Sequence, residues 1–374
     1  MGETAANVTI EFGVPSRMRD GVTLRANVYR PAGRGPWPTL LARTPYGKDL
    51  PQVVSWLDPV QAARRGFMVV IQDTRGRFAS EGQWDPFRFE RRDGYDTVEW
   101  AARLPGSSGR VGMYGGSYWG NSQWLAAIEQ PPSLAAILPA VTWSDPMDGL
   151  FARGGAVELG LVVPWSLQQG LNHIGRTSSA GDEMHKRAEA VLDEWDRLGQ
   201  DGHWDLPVHD IAVLRHHAVP DLGSIRVLDD PDIAQRCRVD DGYERVQVPA
   251  FHLGGWYDIF LQGTLDNYQA MAALRHDSRL IVGSWTHSAY ADPVGEQLFG
   301  ARAAREGVPV HPHGDVNDLQ LAWLRGHLQA GSEPVLPEAP VRIFVMGRNN
   351  GATSPAGRPP TLFRNAGSCA RPDP

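Results

Sequence analysis

The sequence predicts an α/β protein: a mostly parallel sheet with helices on both faces, interrupted by a helical insertion. Three observations predict it. Short apolar runs such as "GFMVVIQDTRG" end in polar, glycine-containing loops and alternate with stretches of helical spacing. The pattern breaks between Ser144 and Tyr243, where "EMHKRAEAVLDEWDRLGQ" reads as a charged amphipathic helix and its surroundings lack clear strands. The stretch "VGMYGGSYWGNSQWLAA", from Val111 to Ala127, runs from an apolar segment through two glycines and Ser117 into a helix.

In chain order, "VTIEF" and "VTLRANVYRP" alternate like strands, with Asp20-Gly21 as the turn between them. "WPTLLARTPYG" and "GFMVVIQDTRG" are the next two strands. Between them "VVSWLDPVQAARRG" has helical spacing and stops at a glycine. "DGYDTVEWAARLPG" is a second helix, with Asp96 or nearby acids at its start. The strand "RVGMYGG", a helix from about Ser117 and the strand "LAAILPAVTW" follow. After the insertion, "VQVPAFHLGGWYD" and "SRLIVGSWTH" return to strand character. A helix at "DVNDLQLAWLRGHLQAG" and a last strand, "APVRIFVMG", complete the pattern.

Composition narrows the function. Of 374 residues 42% are apolar and 21% charged, as in a soluble globular protein, and the net charge of −7 offers no basic face to nucleic acid or anionic lipid. Cys237 and Cys369 suggest neither a disulfide framework nor a cysteine metal site. The N-terminus lacks the basic start and apolar core of a signal peptide, and no apolar run approaches the length of a membrane span. A cytoplasmic protein is expected. Thirteen tryptophans suit aromatic-lined pockets.

A serine hydroxyl is a poor nucleophile until a neighbouring base takes its proton. "GGSYWG" surrounds Ser117 with small residues, as a sharp, crowded strand-to-helix turn requires, although Trp119 stands where the general G-x-S-x-G pattern has glycine. Taken alone, Ser117 fits a nucleophile and a tight structural turn equally. Asp258 closes "FHLGGWYD" and His287 closes "IVGSWTH", giving the order serine, acid, histidine at strand ends that α/β-hydrolases use. "His311-Pro-His313-Gly-Asp315" has spacing that suits a metal, but a solvated loop is the better reading, and no metal or other cofactor is expected.

With "RTPYGK", "QDTRGRFASEG", "GGSYWG", "GGWYD" and "GSWTHS" in this order, the chain resembles the CocE/NonD hydrolases, relatives of X-Pro dipeptidyl-peptidases and bacterial cocaine esterase. The resemblance implies an α/β-hydrolase fold with a helical cap inserted within it and a C-terminal jelly roll. It divides the chain into hydrolase parts at 1–143 and 244–340, a cap at 144–243, and from 341 the start of a jelly roll. It makes Ser117 the nucleophile, His287 the base and Asp258 its orienting acid, with Tyr46 and the Tyr118 N–H as oxyanion donors. It places Trp165 in the acyl pocket, and Phe260, two residues after Asp258, is a second pocket candidate. Asp73 and Arg75 are expected to brace the loop beside the site.

The implied activity is hydrolysis of an ester, an amide or a short peptide without a cofactor, nucleic acid or membrane partner, in a chain that is a candidate homodimer. The alternatives are a true X-Pro dipeptidyl-peptidase and, from another class, an inactive truncation product or a non-catalytic binding protein. Beyond "VRIFVMGRNN" the sequence leaves the family pattern. The segment "GATSPAGRPPTLFRNAGSCARPDP" is dominated by residues with GC-rich codons. Back-read in a shifted frame, those codons yield the family's Trp-Arg-Asp-Glu, so the expectation is a disordered frameshift tail and a largely missing jelly roll.

Overall fold

The computed structural model describes residues 7–354 except 178–180, 201, 205, 217–224, 275, 291–292, 309–313, 330 and 333–335. His311, His313 and residues 355–374, Cys369 among them, lie outside the described residues. The described chain forms two compact units, one of residues up to 84, 89–142 and 239 onward, the other of residues 85–88 and 143–238.

The first unit begins with β1 (Thr9–Arg17) and β2 (Thr23–Arg30), an antiparallel pair closed by a turn in which the Met18 N–H donates to the Val22 carbonyl. Then come β3 (Trp37–Thr44), α1 (Pro59–Arg64), β4 (Met68–Asp73), α2 (Glu90–Ala102), β5 (Ser107–Gly116), α3 (Tyr118–Ile128) and β6 (Leu134–Ala140). Helix α1 starts later than the spacing predicts, because the Asp58 carboxylate caps the Val60 and Gln61 N–H groups and Pro59 occupies the first turn. Helix α2 starts earlier, at Glu90, and Asp96 instead pairs with Arg19.

The insertion carries β7 (Ala152–Arg153) and β8 (Ala156–Val157), a minimal hairpin, then α4 (Leu159–Thr177), α5 (Asp182–Arg197), α6 (Ala212–His216) and α7 (Asp232–Cys237). Its two ends meet where the Trp143 indole N–H donates to the Cys237 carbonyl at 3.1 Å, and Arg236 pairs with Asp85 at 2.9 Å. The first unit resumes at Val239, short of the expected Tyr243 boundary, because Val239 and Val246 are fully buried in the core beneath the sheet.

The chain closes with β9 (Ala250–Tyr257), α8 (Leu261–Ala273), β10 (Ser278–Thr286), α9 (Val316–Leu328), β11 (Val341–Val345) and β12 (Asn350–Ser354). The sheet order is β1-β2-β4-β3-β5-β6-β9-β10-β11-β12, parallel from β4 to β11. This is an α/β-hydrolase sheet, the fold that the resemblance implies. The C-terminal boundary changes as well. The strand at Val341, expected to open a jelly roll, pairs in parallel with β10 and extends this sheet, with Val341 and Ile343 packed in the same cluster as Leu280 and Val282. Asp315, from the candidate metal spacing, caps α9 through a reciprocal pair with Asp318. Among the described residues no helix is long and apolar enough to cross a membrane.

Candidate active site

Parallel strands in register bring their carboxyl ends to one edge: Thr44 lies opposite Asp73, Gly116 opposite Ala140, and Tyr257 opposite Thr286. The loops that leave these ends carry Tyr46, Ser117, Asp258 and His287, so residues far apart in sequence converge.

Ser117 occupies the turn between β5 and α3 with φ 58° and ψ −125°, a strained backbone for a residue with a Cβ. Its N–H donates to the Ala140 carbonyl, and its own carbonyl accepts from Asn121 N–H and, at 3.0 Å, from the Thr142 hydroxyl. The flanking glycines follow from close packing. A Cβ on Gly116 would lie 2.1 Å from the Trp56 indole, and one on Gly120 would lie 2.9 Å from the Thr142 side chain. Glycine one place later than the general pattern thus lets α3 lie against the end of β6.

The His287 Nε2 is 3.0 Å from Ser117 Oγ, and its Nδ1 is 2.7 Å from Asp258 Oδ1. The Asp258 side chain is fully buried, and its Oδ2 has no hydrogen-bond partner among the described residues. A buried carboxylate on one ring nitrogen fixes the tautomer that leaves the other free to accept a proton. The histidine is also held from behind. Tyr290, which the sequence pattern does not single out, donates its hydroxyl to the His287 carbonyl at 3.0 Å. Burial pushes that hydroxyl up from its ordinary range, so it is a neutral donor. The Arg305 guanidinium carbon lies 4.4 Å from the Tyr290 ring centroid and 5.9 Å from that of Trp56, the residue that roofs Gly116. This aromatic–guanidinium stack ties the histidine loop to the serine turn.

Tyr118 follows the serine with its side chain buried, its hydroxyl donating to Glu90 Oε1 at 3.0 Å. Glu90 pairs with buried Arg43, and burial pushes its carboxyl up against that pull. The half-buried Tyr46 ring meets the Tyr118 ring edge-on at 6.4 Å between centroids. The Phe260 ring stands edge-on to His287 at 5.1 Å. Trp165 belongs to α4 of the second unit, where it stacks with Phe87 at 6.4 Å. Asp73 and Arg75 do brace loops. Asp73 accepts from the Lys48 N–H at 2.7 Å, and Arg75 pairs with Asp93 at 2.6 Å and Asp20 at 2.8 Å.

Known proteins resemble this chain over most of its length. The X-Pro dipeptidyl-peptidase (S15 family) profile matches residues 20–289. Cocaine esterase of Rhodococcus sp. (strain MB1 Bresler) is 32% identical over 359 residues, which cover 91% of this chain and 59% of that protein. Among solved structures, an aminopeptidase from a marine sediment Thaumarchaeota archaeon superposes with a TM-score of 0.70 at 21% identity, covering 94% of this chain and 59% of its own. A CocE/NonD family hydrolase from Staphylococcus aureus gives 0.61 at 18% identity, covering 93% and 56%. The chain thus spans about six-tenths of the length of these relatives.

Proposed function

The chain belongs to the X-Pro dipeptidyl-peptidase (S15) family, and from that premise we propose that it is a serine hydrolase cleaving an ester or amide through an acyl-enzyme. The observation that carries this reading is the unbroken relay from Asp258 through His287 to Ser117, at 2.7 and 3.0 Å. His287 Nε2 takes the hydroxyl proton as Ser117 Oγ bonds to the carbonyl carbon. The oxyanion accepts from the Tyr118 N–H and the Tyr46 hydroxyl, donors that strengthen as charge develops. Protonated His287 then gives its proton to the leaving group, and the acyl-serine forms. Water, deprotonated by the same nitrogen, releases the acid. Asp258 holds the tautomer throughout, Phe260 beside the His287 ring is an acyl-pocket residue of this reading, and the chemistry needs no cofactor.

An ester substrate is the first reading, because a relative 32% identical is by name an esterase. An X-Pro peptide is the second, from the name of the matched family. The net charge of −7 fits a protein without a nucleic-acid or anionic-membrane partner, cytoplasmic residence is part of the same reading, and light scattering decides between monomer and homodimer. A fluorophosphonate probe tests the central claim. Labelling of the wild-type chain at Ser117 that disappears in Ser117→Ala supports it. An unlabelled, folded wild-type chain returns the protein to the binding-protein alternative. A panel of aryl esters, amides and X-Pro peptides then ranks the substrates.

A further inference from the structure

Two motifs are not consumed by the chemistry above: "RTPYGK" beyond its tyrosine, and "QDTRGRFASEG" as a whole. Tyr46 lies two residues past the end of β3, on a turn whose backbone is held on both sides. On one side the Arg77 Nε–H donates to the Pro45 carbonyl at 2.7 Å. On the other, the Lys48 N–H donates to Asp73 Oδ1 at 2.7 Å. The Tyr46 N–H itself donates to Thr44 Oγ1 at 2.9 Å.

Both holding side chains come from the end of β4 and the loop after it, and both are buried: Asp73 is 0% exposed and Arg77 3%. Each is fixed in turn. The second Asp73 oxygen accepts the Ala79 N–H at 3.3 Å, and the Ser80 hydroxyl donates to the Asp73 carbonyl at 2.7 Å. The Arg77 guanidinium carbon lies 4.2 Å from the Trp84 ring centroid and 5.3 Å from that of Phe78. Gly76 lets the loop close on that stack, since a Cβ there would lie 2.2 Å from the Trp84 nitrogen. Burying two charged side chains to hold two backbone groups of a turn is expensive if the turn does no more than connect two elements. It is reasonable for a turn whose one side chain must be placed to within a fraction of an ångström.

We infer that Asp73 and Arg77 are positioning residues that clamp the Pro45–Lys48 turn so that the Tyr46 hydroxyl is presented to the developing oxyanion. The inference rests on the oxyanion role proposed for Tyr46. It gives the second motif a role, since its loop becomes a socket for the catalytic phenol. Lys48, 3.8 Å from Asp73 through its ammonium, and Asp49 are further charged groups facing Asp73.

The test is a double-mutant cycle on the full 374-residue chain with an activated ester, read as kcat and KM separately. Arg77→Gln and Asp73→Asn are made in parallel, each checked by thermal melting, so that one poorly folded variant does not remove the test. In the wild-type background each should lower kcat by about 10–10²-fold with KM within about twofold, the signature of a lost transition-state contact. In the Tyr46→Phe background the same substitutions should change kcat by less than about twofold, because the group they place is already gone. Equal losses in both backgrounds overturn the clamp while leaving Tyr46 as an oxyanion donor. An unchanged kcat in Tyr46→Phe alone overturns that donor role and the clamp with it.

Discussion

Trp56 lies across Gly116 so closely that there is no room for a methyl group between the indole and the residue preceding the nucleophile. The same indole packs edge-on against Tyr290 at 5.3 Å, and Tyr290 holds the histidine loop. One aromatic residue thus touches a neighbour of Ser117 and a neighbour of His287, and crowding at Gly116 should be transmitted to the Ser117–His287 distance.

Gly116→Ala tests this coupling. The added methyl must displace the indole or the turn, at an overpacking cost of about 1–3 kcal/mol. Activity should fall more steeply than stability, because a small shift of Ser117 Oγ breaks a hydrogen bond that already spans 3.0 Å. Combining it with Trp56→Leu should restore part of the loss, since residues in contact couple by about 0.5–3 kcal/mol. Additive losses in kcat/KM and in urea midpoints would show that the contact transmits nothing.

Ser117→Ala should abolish turnover while leaving the thermal midpoint nearly unchanged, because the substitution removes one hydroxyl from a half-buried turn. Members of a relay act as a unit, so adding His287→Ala should then cost almost nothing more. A large further loss of residual activity in the double variant would remove His287 from the role of base.

The sheet was legible in the sequence for a physical reason, since buried parallel strands are continuous apolar runs. Ser117, Asp258 and His287 stand at the ends of three such runs, but taken alone each also fits a structural role, and it is the family resemblance that joins them into a relay. What escaped was held by partners distant along the chain. The start of α2 at Glu90 is set by burial against Arg43 and Tyr118, not by a local capping pattern. The Trp56–Tyr290–Arg305 stack joins residues far apart in the chain, as in the bond from Arg305 to the Ser55 carbonyl, and no periodicity announces it. The strand at Val341 looked detached because family pattern, not pairing, set its boundary. Only its register with Leu280 assigns it to this sheet.

Tyr46→Phe keeps the ring against Tyr118 and removes only the hydroxyl. Loss of one oxyanion donor typically costs about 10²–10³ in kcat, or ~3–4 kcal/mol, with KM moving less. Steady-state kinetics on an ester whose acylation is rate-limiting checks this. An unchanged kcat returns Tyr46 to a packing role.

Two buried groups should give the stability of the chain opposing pH slopes. His252 sits between Trp124 and Tyr268, with its Nε2 3.2 Å from the Ser278 hydroxyl, and burial lowers it from 6.5 to about 3. Between those values the unfolded chain binds a proton that the folded chain refuses, so the His252 contribution to stability is lost as pH falls. Asp73 behaves in the opposite sense. Burial raises it from 3.8 to about 6, so in that window the folded chain holds the proton, and its contribution declines as pH rises. Each slope is at most about 1.4 kcal/mol per pH unit. Between about pH 4 and 6, the window these shifts share, urea unfolding of His252→Gln should therefore lose stability relative to wild type as pH rises, and that of Asp73→Asn should gain. Parallel curves for all three proteins would mean that neither group titrates differently in the folded and unfolded chains. Slopes of the same sign would place one of them in surroundings less buried than those described.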